Sequence, residues 1–212
     1  MAVFFTSDQH FGHANILKYC KRPFSSVEDM NTEIVARWND VVTANDIVYV
    51  LGDFAFKPAT FTYFANQLNG TKVFVKGNHD PSKFPTKLWE EPGATIFITP
   101  DRNWLHEVVI SLEGQRYRLS HYPYWNPRQE IDDDGDPVVS YDPDTREFTP
   151  VYPERDIRYP LESGAPTRGG QREILLHGHT HQVDRKRGNM INVGVDAWNF
   201  YPVSLEQIKG LL

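Results

Sequence analysis

The chain opens on a short apolar run, Val3-Phe4-Phe5-Thr6, that reads as a buried strand because it lacks polar alternation and is too short for a helix. Residues 26–42 carry apolar side chains at Met30, Ile34, Trp38 and Val41, the spacing of one helix face. Ser25 and Glu28 stand at capping-box spacing before it. A second buried strand follows at residues 47–51. A second helix starts after Pro58, with Phe61, Phe64, Ala65 and Leu68 inward, and stops at Asn69-Gly70. Residues 73–75 form a third strand. Strand and helix in alternation predict parallel pairing with right-handed crossovers.

The second half is patterned differently. Residues 96–98, 105–111 and 115–120 read as short strands, the last two joined by a turn at Glu113-Gly114. Three late strands are expected at 174–176, 190–193 and 203–205. Between them lie residues 126–171, with seven of the 15 prolines, which largely excludes regular structure. This stretch is expected to be an insertion near the site, a lid or loop with one hairpin around Asp134-Gly135. The whole, residues 1–212, is expected to be a single domain.

The 40% hydrophobic content suffices for a core. The lone Cys20, read as buried, excludes a disulfide framework and a Cys-rich zinc module. No apolar run is long enough to span a membrane, and no basic region precedes the first apolar run, so no signal peptide is expected. A cytoplasmic location follows as an expectation, the host cytoplasm if the chain is phage-encoded. The net charge of −6 argues against nucleic acid. However, residues 130–156 hold ten acids and two bases, −8 in all, which leaves the rest at +2. That balance is compatible with a small anionic ester and disfavours a long polymer.

The eight histidines decide the chemistry. Asp8 and His10 follow the first strand, Asp53 the second, and Asn78, His79 and Asp80 the third; His121 follows the strand at 115–120, and His179 and His181 that at 174–176. Strand carboxyl ends are where α/β sheets form their sites. The two-residue spacing of Asp8/His10 and His179/His181 aims each pair the same way if the backbone is extended. This mixed O/N donor set suits manganese, iron, zinc or nickel, and there are enough donors for two divalent ions sharing a carboxylate.

Asp8-Gln9-His10, Gly52-Asp53, Gly77-Asn78-His79-Asp80, His121 and Gly178-His179-Thr180-His181, in that order, resemble the motifs of the calcineurin-like metallophosphoesterases. The likeness to small prokaryotic and phage-type members extends to Gly12-His13-Ala14-Asn15-Ile16, Arg22-Pro23-Phe24 and Asn192-Val193-Gly194-Val195-Asp196. The resemblance implies an α/β fold in which a two-sheet β-sandwich is flanked by helices and the active site lies at strand carboxyl ends. It implies that Asp8, His10 and His181 bind one metal, that Asp53 bridges, and that Asn78, His121 and His179 complete the second. Manganese is the expected ion. A metal-bound hydroxide would attack phosphorus, His79 would protonate the leaving group, and Asp80 would orient His79.

Other residues stay open between two readings. His13 touches substrate or a ligand's outer partner. Arg22 is a phosphate clamp or a surface ion pair. Tyr124 and Trp125 line the substrate opening or belong to the core. His177 reads as a hydrogen-bonded core histidine and His106 as a surface or packing residue. The expected function is a phosphodiesterase acting on small nucleotides, 2′,3′-cyclic nucleotides among them. The alternatives are a phosphomonoesterase or nucleotide pyrophosphatase, a nuclease, and a non-catalytic binding scaffold.

Overall fold

The computed structural model describes residues 1–85, 104–123 and 173–212, together with the backbone of 96–97, 141–142 and 147–148. The expected lid at 126–171, its Asp134-Gly135 hairpin, Tyr124, Trp125 and the third residue of the 96–98 strand lie outside the described residues, apart from the short backbone pair noted below.

One sheet is built from β1 (Val3–Thr6), β2 (Ile47–Leu51), β3 (Thr71–Val75), β4 (Ile96–Phe97) and β12 (Val203–Ser204), in the order β12-β1-β2-β3-β4. The pairs β1–β2, β2–β3 and β3–β4 are parallel, as strand–helix alternation requires, and β12 closes the edge antiparallel to β1. The second sheet runs β10 (Lys186–Arg187), β11 (Met190–Asn192), β9 (Ile174–His177), β6 (Gln115–Ser120), β5 (Glu107–Leu112). Its centre, β11–β9–β6, is parallel, and its edges β10 and β5 are antiparallel. Residues 141–142 and 147–148 form a short antiparallel pair, β7 and β8.

Alternation along the strands sorts side chains into two cores. Phe5, Leu51 and Val75 of the first sheet meet Tyr117, Leu119, Ile174, Leu176 and Ile191 of the second, so the sheets pack face to face. Phe4, Val48, Val50 and Phe74 point the other way, onto helices α2 (Val27–Val41) and α3 (Pro58–Ala65), where Met30, Ile34, Trp38 and Phe61 are fully buried. Strands buried on both faces explain why their sequences read as unbroken apolar runs.

Local details differ from the sequence expectation. The helix cap is Ser26, whose hydroxyl accepts from Asp29 N–H, and the Asp29 carboxylate reaches back to Ser25; the Ser25/Glu28 box is displaced by one residue. α3 ends at Ala65, four residues before the Asn69-Gly70 stop, and Gly70, at φ +81°, turns the chain straight into β3. The short helices α1 (Ile16–Tyr19) and α4 (Leu205–Lys209), the 3-10 turn Val195–Trp198 and β10 are too brief to show a period. Leu205, expected in the last strand, instead starts α4, because Ser204 and Gln207 cap each other reciprocally. Cys20 is half-buried. No helix among the described residues is long and apolar enough to cross a membrane.

One carboxylate ties the edge of this fold together. Asp46 accepts from Ala2 N–H at 2.6 Å, Thr43 N–H at 2.8 Å and the Thr43 hydroxyl at 2.7 Å. Those bonds, led by that from Ala2, pull its pKa down to about 2 from an ordinary 3.8. A depressed carboxylate contributes its full stability above pH 4 and loses it as pH falls through 2. Asp46→Ala is therefore expected to cost about 2 kcal/mol at pH 7. In denaturant titrations the gap to the wild type should close between pH 4 and 2.

Candidate metal centre

Every candidate ligand sits just past the carboxyl end of a strand: Asp8 and His10 after β1, Asp53 after β2, Asn78 after β3, His121 after β6, His179 and His181 after β9. The way they converge corrects the extended-backbone expectation. Asp8, His10, Asp53, His179 and His181 all have positive φ, between 52° and 72°. Non-glycine residues adopt this region at a cost, and it clusters where side chains must be aimed at a site. The pairs 8/10 and 179/181 are brought together by left-handed turns.

Two clusters result. Asp8, His10 and His181 form one, and Asp53, His121 and His179 the other. In the first, His10 Nε2 lies 3.2 Å from His181 Nε2. In the second, His121 Nε2 lies 2.9 Å from Asn78 Oδ1 and 3.1 Å from His179 Nδ1, itself 3.0 Å from Asn78 Oδ1. Between them stands Asp53, 1% exposed, whose Oδ2 is 3.5 Å from both His10 Nε2 and His121 Nε2 and is buried with no hydrogen-bond partner. A buried carboxylate oxygen without a partner is expensive. Donor atoms held about 2.1 Å from one ion in tetrahedral or octahedral array are roughly 3.0–3.4 Å apart. The nitrogen and amide-oxygen spacings of 2.9–3.2 Å lie on that scale and those of Asp53 Oδ2, at 3.5 Å, just beyond it, so the two clusters fit two divalent ions, with Asp53 placed where it would be shared.

Electrostatics favour the same reading at His10 and His179, whereas Asp8 and His181 would have to release a proton to bind an ion. Burial, reinforced by neighbouring cationic partners, holds His10 and His179 well below the ordinary histidine range, so their ring nitrogens keep lone pairs at neutral pH. Burial raises Asp8, whose carboxylate accepts from His179 N–H at 3.0 and 3.1 Å. His121 Nδ1 is 2.8 Å from Leu51 carbonyl, a bond it makes as donor, which leaves Nε2 facing Asp53. His181 Nδ1 meets Asp196 Oδ2 at 2.8 Å; burial opposes charge on His181, but the bonds to Asp196 and Cys20 and the charges of Asp8 and Asp196 together outweigh it and raise the pKa well above the ordinary range.

Two buried charges organise the clusters, and both differ from the expectation. The Asp80 carboxylate makes no hydrogen bond to the His79 ring. It accepts from the N–H groups of Gly77, Asp53, Phe54 and Ala55 at 2.8–3.3 Å. It thus fixes the Asp53 loop against the Asn78 loop, with burial and the nearby Asp53 raising its pKa to about 6 against those bonds. The reason is steric: Gly77 lets the two loops touch, and a Cβ there would strike Asp53 Oδ1. Arg22 is neither a phosphate clamp nor a surface pair. It is 5% exposed, and its five N–H groups go to both oxygens of Asp196, the carbonyls of Asp8 and Gln9, and Met30 sulfur. It therefore braces the 8–10 turn and, through Asp196, His181. Burial alone would raise Asp196; Arg22 and His181 more than offset it and hold the carboxyl well below its usual range. Asp196 had a place in the Asn192–Asp196 motif without a role, since its partners are 174 and 15 residues away.

His79 is half-exposed, its ring centroid 5.3 Å from His10 and its N–H bonded to Asp53 Oδ1 at 2.8 Å. His13, also half-exposed, is 6.0 Å from the His79 ring, and its Nδ1 is 3.5 Å from His10 Nδ1. His177 is buried against Gly178 carbonyl and pushed down to about 4 by burial. His106 is exposed.

No model of a known protein family matches the chain. It is 36% identical to the uncharacterized protein MJ1445 of Methanocaldococcus jannaschii, over 66% of this chain and 85% of that one. It is 24% identical to the gene 66 protein of Mycobacterium phage L5, over 99% and 93% of the two chains, and 27% identical to that of phage D29, over 93% and 89%. Among solved structures it resembles a protein of unknown function, AQ665 from Aquifex aeolicus, at a TM-score of 0.63 and 25% identity, over 100% of this chain and 99% of that one.

Proposed function

This chain belongs to one family with the archaeal MJ1445 protein, and from that premise we propose that it is a metal-dependent phosphodiesterase acting on small nucleotides, 2′,3′-cyclic nucleotides among them. Its two-sheet fold and paired His/Asp clusters are consistent with the calcineurin-like phosphoesterases, and the clusters support a dinuclear-metal hydrolase. The observation that carries the reading is the partnerless, buried Asp53 Oδ2, equidistant from a histidine of each cluster.

Asp8, His10 and His181 would hold one ion and Asn78, His121 and His179 the other, with Asp53 shared; manganese is the ion we propose. Bound there, two such ions supply a Lewis-acid clamp for a phosphoryl group and lower the pKa of water. The chain's own part centres on His79. Its backbone N–H anchors it to Asp53 while its half-exposed ring lies 5.3 Å from that of His10. From there it can hand a proton to the departing oxygen, which matters most when that oxygen belongs to a ribose, a poor leaving group. A diester of this kind needs such a donor more than an aryl ester does. The +2 charge outside residues 130–156 suits an anionic substrate.

The test is an activity panel on protein loaded in turn with manganese, iron, zinc or nickel. It would span 2′,3′- and 3′,5′-cyclic nucleotides, nucleoside monophosphates, nucleotides with a pyrophosphate link, and single-stranded RNA. Nucleotide diesters are expected to exceed monoesters by about tenfold or more in kcat/KM, roughly 1.4 kcal/mol of transition-state preference. A preference for monoesters, pyrophosphates or RNA would overturn the diester assignment, and no turnover of any ester would overturn the phosphoesterase reading.

A further inference from the structure

Residues 192–196, at the end of β11, back the first cluster and not the second. Gly194 pairs with Ser7 in a parallel bridge, and Val195 N–H donates to the Ser7 carbonyl at 3.0 Å. The segment is thus laid against the start of the Asp8–His10 turn. Asn192, 4% exposed, holds it from within: its Oδ1 accepts Gly194 N–H at 2.8 Å. The Asn192 amide also donates to the carbonyls of Gln182 and Asp184, just past His181, at 2.9 and 3.3 Å. Asp196 accepts from His181 Nδ1, and Arg22 joins both Asp196 oxygens to the carbonyls of Asp8 and Gln9. Among the described residues, no hydrogen bond from 192–196 reaches Asn78, His121 or His179. His121 is held instead by the neutral Leu51 carbonyl.

Two side-chain positions in this segment act on donors directly. A Cβ on Gly194 would stand 2.8 Å from Asp8 Oδ2 and 3.0 Å from Asn192 Oδ1. The same Asp8 oxygen lies 2.4 Å from where a Cβ on Gly178 would be, so two glycine backbones pack it closely. Gly194 has φ −59° and ψ 140°, a conformation open to any residue. The backbone therefore does not require glycine there; the Asp8 carboxylate does. Asp196 works by orientation. Holding His181 Nδ1 leaves Nε2 turned to the cluster, 3.2 Å from His10 Nε2. We propose that Gly194 and Asp196 are positioning residues for the first cluster alone, so that ion affinity at Asp8, His10 and His181 is set separately from that at the second cluster. The proposal rests on the dinuclear reading of the site.

The experiment titrates metal-free wild type, Gly194→Ala and Asp196→Asn with zinc, its free concentration set by a chelator. The ring signals of the individual histidines are followed by NMR, with His10 and His181 reporting the first cluster and His121 the second. Each variant should raise the zinc midpoint at His10 and His181 about ten- to hundredfold, the usual effect of disturbing a ligand's outer partner. His121 should keep its wild-type midpoint in both. A segment that merely supports the fold would move His121 as far as His10 and His181, and that result overturns the proposal. An unchanged midpoint at His10 and His181 in either variant overturns the part assigned to that residue. A wild type in which none of these rings responds to zinc overturns the dinuclear reading, and with it this proposal.

Discussion

Asp53→Ala is expected to empty both clusters and to leave almost no turnover. The substitution removes an oxygen placed 3.5 Å from a histidine of each cluster, so if Asp53 is shared, as proposed, neither donor set stays complete. Loss of an outer partner typically weakens metal affinity ten- to hundredfold. Loss of a shared ligand should exceed about a hundredfold at each cluster, and activity should fall by about 10³-fold or more. Asp53→Asn separates charge from shape. Its carbonyl can still accept the His79 N–H that Asp53 Oδ1 accepts at 2.8 Å, but a neutral amide cannot serve two cations. Metal content by elemental analysis, read beside activity, checks this: two ions per chain in wild type and fewer than one in both variants. Full metal content in Asp53→Asn would show that Asp53 does not bridge.

His79→Ala should behave in the opposite way, keeping the metals and losing rate selectively. His79 belongs to neither donor cluster, and its half-exposed ring lies 5.3 Å from that of His10. A general acid contributes about 10²–10⁴-fold when the leaving oxygen is a poor one. The expected loss on a ribose leaving group therefore lies in that range, while a nitrophenyl ester, whose leaving group needs no proton, should lose roughly tenfold or less. The decisive quantity is the ratio of the two losses. Equal losses on both esters would place His79 in binding or positioning and leave proton donation to another group.

Much of the frame was legible along the chain because it is written in short-range signals. Residues 47–51 read as a strand because no polar residue interrupts them, and they form β2 over that same span. Glu113 and Gly114 read as a hairpin turn, and both have positive φ there. Asp8, Asp53, Asn78, His121 and His179 each stood one to three residues beyond an expected strand, and the parallel sheets carry those strand ends to one edge. The missed α1, α4 and β10 have the opposite cause, since elements of two to five residues carry no period to read, and the cap at Ser25 was displaced by one because two serines stand side by side at the helix start.

By itself, then, the sequence determined where the main strands of the two sheets lie, the parallel pairing of the first three, and which donor-type residues follow each site-bearing strand. Apolar runs and the residues next to them are local properties, and the topology rules for crossovers turn them into a sheet edge. Only the tertiary structure decided how the donors are held. Arg22 reaches Asp196 across 174 residues, and Asp80 reaches Asp53 across 27. Burial in a medium that leaves no water to compete makes each such charge seek every available backbone partner. That is why Asp80 bonds four N–H groups and Arg22 two carbonyls. These contacts hold loops that carry the left-handed turns at Asp8, His10 and Asp53. No spacing rule along the chain encodes contacts between residues so far apart, so the same side chains that looked like a phosphate clamp and a histidine partner became braces beneath the site.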